Sequence, residues 1–305
     1  MSIAEAGVRL AAALSGEVRR DELMARHTSY RIGGPAALWV RCDTLADLAA
    51  ATSILAEEDV QYVAVGKGTN LLVADEGYPG AVVVLGKEFA RHSVDGEFVQ
   101  AGAAVILASL VNDAFAQGLS GLEFAVGVPG TFGGAVAMNA GTRDDWIGSM
   151  VESVTLFVPG VGLERLRGAE VPWGYRRSGL QGRGIIVEAV LKVTPGDPVT
   201  IRRVMEANFR RRKGSQPVGS ASAGSVFKNP EGDSAGRLIE AAGLKGARVG
   251  KASISEVHAN FIVNEGGARA ADVVSLIQLA RDTVKDRYGV ELSPEIRFLG
   301  TFPES

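Results

Sequence analysis

The chain has 305 residues, enough for two or three units that each bury a core. It is 46% hydrophobic and 22% charged, with a formal charge of -3, which gives no reason to expect nucleic acid or an anionic membrane surface as partner. Its single cysteine, Cys42, excludes an internal disulfide, and three scattered histidines offer no metal-site spacing, so no metal is expected. No stretch approaches membrane-spanning length or a secretory signal, which points to a cytoplasmic protein.

Residues 1 to about 24 read as a helical lead-in, and Tyr30-Arg-Ile-Gly-Gly-Pro35 introduces a strand through Leu38–Cys42, where the cysteine packs. Thr44 is a candidate N-cap for a helix with Leu45, Leu48, Thr52 and Leu55 on one face. Strands are expected near 61–65, 71–73 and 81–85, closing a first β-rich subdomain near residue 87. A hairpin turning at Asp95-Gly96 opens the next unit, followed by a helix over 104–117 capped by Gly118, then strands at 152–158 and 184–193. The pattern breaks at Pro195-Gly-Asp-Pro198, and a basic helix from Arg202 to Lys213 leads to a third unit. There, Asp233 or Ser234 caps a helix over 235–242 ended by Gly243. A longer helix over 270–288 carries Val273, Ile277, Ala280 and Val284 and stops at Gly289.

Two stretches are built for something other than packing. Gly127-Val-Pro-Gly-Thr-Phe-Gly-Gly-Ala-Val-Ala-Met-Asn-Ala-Gly141 is uncharged and glycine-rich, and Val65-Gly-Lys-Gly-Thr-Asn-Leu-Leu-Val73 is a second loop of the same kind. Clustered glycine marks unusual backbone angles or close approach of a ligand to the main chain. The Gly66-Lys-Gly-Thr-Asn70 loop lacks the third glycine and the following helix of a Rossmann fingerprint, and no P-loop occurs. Backbone N–H groups arranged as anion-binding concavities remain available, so the pair suggests a cradle for a large phosphate-bearing cofactor, against tight hairpin turns as the plainer reading.

These two loops resemble the FAD-binding signatures of the UDP-N-acetylenolpyruvoylglucosamine reductases. The likeness continues in order through His27-Thr-Ser-Tyr-Arg-Ile-Gly-Gly-Pro35, Trp173-Gly-Tyr-Arg-Arg-Ser178, Ala223-Gly-Ser-Val-Phe-Lys-Asn-Pro230, His258-Ala-Asn-Phe-Ile-Val-Asn264 and Leu292-Ser-Pro-Glu-Ile-Arg297. The resemblance implies an α+β chain: a two-subdomain FAD-binding fold of the vanillyl-alcohol-oxidase type plus a C-terminal α+β domain for a UDP-sugar. The divisions expected are a lead-in at 1–26, FAD-binding subdomains at 27–87 and 88–197, and a substrate domain at 198–305. The interval between Arg176 and Ser225 is too short for the family's extra tyrosine-bearing loop, so the shorter form is implied.

The implied reaction reduces the enolpyruvyl ether of UDP-N-acetylglucosamine-enolpyruvate to the lactyl ether of UDP-N-acetylmuramate, with NADPH as hydride donor and non-covalent FAD as relay. The developing anion needs stabilisation and C2 needs a proton. By resemblance Ser225 donates that proton, Arg176 holds the substrate carboxylate in a fork, and Glu295 assists there, for which it must be protonated. Cofactor contacts are implied for Tyr30, Gly66, Lys67, Gly68, Thr69, Asn70, Leu71, Gly127, Pro129, Gly130, Thr131, Gly133, Gly134, Ala135, Asn139 and Gly141. Tyr175, Lys228, Asn229 and His258 are implied at the substrate.

Without the family, Arg176-Arg177 reads as a solvated pair, Ser225 as a turn residue and Glu295 as a surface ion-pair partner; for His258 a ligand contact and a local hydrogen bond weigh equally. Phe132, Ala137, Ala221-Ser222, Lys251 and Val257 depart from the family pattern without touching Ser225, Arg176 or Glu295. The rival readings are an oxidase on the same fold, disfavoured because neither loop carries a His or Cys for covalent flavin, and a non-catalytic FAD redox sensor, which has no use for Ser225.

Overall fold

Ser2 accepts a hydrogen bond from the Glu5 N–H and so starts α1 (Ile3–Ala13), which ends at an extended Leu14. In this computed structural model, which describes residues 2–302, the helical lead-in therefore stops well short of residue 24. Val18–Leu23 is a strand and Met24–Arg26 a 3-10 turn. The run Arg19-Arg20-Asp21-Glu22 has no apolar helical stripe, and its backbone pairs with the strand Pro35–Cys42 instead.

The chain forms two units, one from residues 1–20, 38–66 and 80–211, the other from 21–37, 67–79 and 212–305. A four-stranded sheet, most of whose residues belong to the first, has the order Val18–Leu23, Pro35–Cys42, Tyr78–Leu85, Tyr62–Ala64. Helix α2 (Leu45–Glu57) begins at Thr44, which forms a capping box with Asp47. The apolar faces of α1 and α2, carrying Leu10, Leu48 and Leu55, share a core with Leu38, Val40 and Val83 of that sheet.

A five-stranded antiparallel sheet follows, in the order Gly162–Arg167, Val151–Val158, Ile185–Lys192, Phe98–Gly102, His92–Asp95. The expected hairpin is present, with Asp95 opposite Phe98 and Gly96 at φ +57°. Helix α3 (Leu107–Ala116) starts later than expected because residues before it bond elsewhere: the Ala103 N–H donates to Val187 O and the Val105 N–H to Gly102 O. A short helix not expected from the sequence, α4 (Phe132–Ala137), rises inside the second glycine-rich loop, with Phe132 and Val136 in the same core as Leu107 and Leu110. The long basic helix α5 (Pro198–Ser215) is mostly exposed and buries Ile201.

The second unit packs α6 (Ala235–Ala241) and α7 (Ala270–Tyr288) around a small antiparallel sheet of Arg248–Val249, Ala252–Ile254 and Ile262–Asn264. Its core also takes Tyr30, Ile32 and Leu72, residues far upstream in sequence. Leu71–Val73 pairs in parallel with Arg297–Leu299. Asp75 fastens the same upstream segment to α7, its carboxylate accepting from the Ala270 N–H at 2.8 Å and the Ala271 N–H at 3.1 Å. A carboxylate on otherwise unserved N–H groups at a helix start is stabilising through both bonding and the helix dipole. Asp75→Ala should therefore cost about 1–2 kcal/mol in urea unfolding, with the loss absent if these bonds contribute nothing. Among the described residues no helix is long and apolar enough to cross a membrane.

Candidate active site

In the first unit Gly66, at the start of one glycine-rich loop, lies against Thr131 of the other. Gly66 is exposed, and a Cβ built on it would lie 2.6 Å from Thr131 Oγ1. Thr131 is buried and caps α4, accepting from the Gly134 N–H at 3.3 Å. Gly133 lies flat on Ala103: its N–H donates to the Ala103 carbonyl at 2.9 Å, and a Cβ there would stand 2.5 Å from the Ala103 methyl. Gly127 and Gly130 have φ of +74° and +116°, which side-chain-bearing residues rarely adopt. Gly127, Pro129 and Gly134 are exposed, while Gly133 and Ala135 are buried supports. The result is bare backbone on a rigid base, the surface that close approach of a dinucleotide requires, and the residues present fit FAD.

The C-terminal end of this loop is tied to the Trp173–Ser178 segment. Asn139, buried and at φ +45°, donates through Nδ2 to Gly174 O at 3.0 Å and accepts at Oδ1 from the Gly148 N–H at 2.9 Å. The Ser178 hydroxyl and N–H both reach Ala137 O, at 3.0 and 3.2 Å. Between these ties Gly174 and Arg177 close a tight turn with paired backbone bonds of 3.0 and 3.2 Å. Arg176 sits in that turn at φ +56°, donating through Nη1 to Gly141 O at 3.0 Å. Tyr175 is exposed beside it, its ring 5.3 Å from the Arg176 guanidinium carbon.

The second unit assembles another group. Gly68, at φ +60°, is pressed against the His27 carbonyl, and Lys67 is exposed beside it. Asn70 ties this glycine-rich loop to the chain near Glu295: its Nδ2 donates to Glu295 O at 3.1 Å, and its carbonyl accepts from the Arg297 N–H at 2.9 Å. Leu71 is buried as the first residue of the strand that follows, and Thr69 is half-buried. Glu295 donates its N–H to Val226 O at 2.7 Å, so Ser225 and Glu295 lie on adjoining backbone stretches. The pairing continues as Phe227 opposite Pro294, with the Lys228 N–H on Ser293 O at 2.9 Å. Ser225, Lys228 and Glu295 are all half-buried.

Other expected site residues are engaged locally. Tyr30 is 0% exposed, its hydroxyl without a hydrogen-bond partner in the core, so it offers no side-chain surface to a ligand; burial pushes its phenol well above the usual range. Asn229 is exposed, and its Oδ1 accepts from the Ala235 N–H at the start of α6. His258 accepts at Nδ1 from the Asn260 N–H at 3.1 Å, which leaves the proton on Nε2. Burial, helped by nearby Lys245, holds its pKa below the ordinary imidazole value. The local hydrogen bond weighed for His258 is therefore present.

Sequence reading missed Asn260 and Asn264. Asn264 donates to Tyr30 O at 2.9 Å and accepts from Gly266 and Ala268. Asn260 is 3% exposed and bonds both backbone groups of Phe227. The available signal was an amide flanking an apolar run, Asn260-Phe-Ile-Val-Asn264, where a buried carboxamide must find backbone partners.

Residues 36–159 match the FAD binding domain family, and residues 216–299 match the family described as UDP-N-acetylenolpyruvoylglucosamine reductase, C-terminal domain. The chain is 44% identical over 289 residues to UDP-N-acetylenolpyruvoylglucosamine reductase 2 of Symbiobacterium thermophilum, covering 94% of each chain. It is 43% identical to the UDP-N-acetylenolpyruvoylglucosamine reductase of Heliobacterium modesticaldum, over 93% of this chain and 91% of that one. Among solved structures it resembles the UDP-N-acetylenolpyruvylglucosamine reductase of Thermus caldophilus with a TM-score of 0.82 and 40% identity, covering 93% of this chain and 99% of that one. The expected α+β architecture, an FAD-binding fold followed by the family's C-terminal domain, is what the chain has. On identity, coverage and fold together, the chain belongs to the UDP-N-acetylenolpyruvoylglucosamine reductase family.

Proposed function

We propose that this chain reduces UDP-N-acetylglucosamine-enolpyruvate to UDP-N-acetylmuramate with NADPH, a step of peptidoglycan precursor synthesis carried out in the cytoplasm. The observation that carries the residue assignment is the adjoining placement of Ser225 and Glu295, with Asn70 of the cofactor loop bonded to the Glu295 carbonyl. Residues 27–87 and 88–197 serve as the FAD-binding subdomains behind a lead-in at 1–26, and 198–305 as the sugar-nucleotide domain.

FAD, when bound, supplies hydride transfer between NADPH and C3 of the enolpyruvyl group. Gly66–Leu71 and Gly127–Gly141 hold it through backbone, with the buried Gly133 and Ala135 as support. Negative charge then develops from C2 into the substrate carboxylate. Arg176 neutralises it through a two-pronged guanidinium contact, a geometry that a lysine cannot reproduce. Protonated Glu295 donates to the same carboxylate. At C2 a C–H bond forms as the Ser225 O–H breaks, and the resulting alkoxide recovers its proton from water. Lys228 and the Nε2–H of His258 serve the phosphates of the nucleotide, and Tyr175 and Asn229 contact the sugar nucleotide from exposed positions.

The test is the visible spectrum of the purified protein under anaerobic conditions. Flavin bands should bleach on adding NADPH and return on adding the enolpyruvyl sugar nucleotide. A protein that bleaches and never recovers with this substrate would overturn the reading in favour of another electron acceptor.

A further inference from the structure

The segment just after Ser225 is held more tightly than a connecting loop requires. The Val226 N–H donates to Asn260 O at 2.8 Å, while Val226 O accepts from the Glu295 N–H at 2.7 Å. Phe227 has no backbone neighbour on the Asn260 side; the Asn260 carboxamide takes that place. Its Oδ1 accepts from the Phe227 N–H at 2.9 Å and its Nδ2 donates to Phe227 O at 2.8 Å. One side chain thus imitates a peptide group and extends the pairing by one residue. Asn260 is itself fixed: it is 3% exposed, and its N–H donates to His258 Nδ1. The Phe227 ring, 1% exposed, is anchored in the core from the same point. Ser225 lies at one end of this strap, preceded by Gly224 at φ +76°, and Lys228 lies at the other.

A proton donor works only when its oxygen is held near the line of transfer, and a misplacement of about 1 Å can cost on the order of 10²-fold. Gly224 by its nature does not restrain Ser225 from the N-terminal side, so restraint comes from the Val226–Phe227 side. We propose that Asn260 is a positioning residue that aims Ser225 for protonation of C2, acting through the Phe227 backbone. This inference rests on Ser225 being the donor, as argued above.

Asn260→Asp keeps the shape and makes the restraint titratable. A neutral carboxyl can donate to Phe227 O and accept from the Phe227 N–H; an ionised one sets a charged oxygen against a carbonyl. In the NADPH-reduced holoenzyme, reoxidation by the enolpyruvyl sugar nucleotide should slow on the order of 10–100-fold at about pH 8. It should recover towards wild type as pH falls and the buried carboxyl protonates, whereas reduction by NADPH stays within about twofold throughout. In a Ser225→Ala background the same substitution should add less than about threefold, since the two residues act as one unit. If Asn260→Asp does not retain flavin, Asn260→Ala, which removes both bonds to Phe227, is put through the same comparison and should show the same split.

If Ser225→Ala itself leaves reoxidation unchanged, the donor assignment falls and the proposal falls with it. If Ser225→Ala slows reoxidation but the Asn260 variant slows both half-reactions alike, or multiplies fully onto Ser225→Ala, only the positioning role is overturned.

Discussion

Ser225→Ala is expected to slow reoxidation of the reduced enzyme by the enolpyruvyl sugar nucleotide on the order of 10²–10⁴-fold, the scale of a lost general acid. Reduction by NADPH should be nearly unchanged, because nothing in that half-reaction needs a proton at C2. An aliphatic hydroxyl is a weak acid, and an enolate carbon is a strong enough base to take its proton. The backbone around Ser225 gives no reason for the substitution to unfold the protein. Val226 and Phe227 are held by Glu295 and Asn260 through main-chain groups that alanine leaves in place. Stopped-flow absorbance of each half-reaction makes the measurement, and equal slowing of both would assign Ser225 a structural role.

The second large effect is a trade of stability against activity at Arg176. This residue occupies the left-handed region, φ +56°, inside the tight Gly174–Arg177 turn. For a residue with a Cβ that conformation costs on the order of 1–2 kcal/mol, and glycine escapes it. Arg176→Gly and Arg176→Ala both lose the guanidinium and its 3.0 Å bond to Gly141 O, so their difference isolates the backbone term. Arg176→Gly should be more stable than Arg176→Ala by about 1 kcal/mol in chemical denaturation. Both should lose about 10²–10³-fold in kcat/KM, the scale of a missing anion-stabilising donor. Equal stability of the two variants would mean that no strain is stored there. Glycine would suit this turn better, and arginine in its place fits a chain that spends backbone comfort on placing a cation.

Where a residue type has only one use, the sequence was legible. Clustered glycines marked two loops of close backbone approach and positive φ, Thr44 and Ser234 capped the helices expected of them, and Gly289 ended α7 in the left-handed conformation. Two kinds of feature escaped. Elements made by partnership carry no local pattern: Val18–Leu23 is a strand because Pro35–Cys42 lies beside it, and Arg297–Leu299 is one because Leu71–Val73 lies beside it. Helix α4 escaped because Gly-Gly-Ala is a poor helix former held by the Thr131 cap and a buried face. In the site, asparagine was the ambiguous letter. Asn70 and Asn139, expected at the cofactor, also bond the Glu295 and Gly174 carbonyls through their side chains, a tie the sequence alone does not show. Asn260 was passed over altogether, since a carboxamide that mimics a peptide group is visible only when the neighbouring strand is.

The parallel pairing of Leu71–Val73 with Arg297–Leu299 also sets an order of events at the ribosome. Asn70 and Glu295 are 225 residues apart. At about 5–20 residues per second, the upstream strand waits roughly 10–45 s for its partner to be made. During that interval Leu71, Leu72 and Val73, all buried in the finished protein, lack their partner strand, while the residues of the first unit are complete by Arg211. Nascent chains stalled before residue 297 therefore carry an apolar strand with an unpaired edge, open to non-native pairing until the last residues are made.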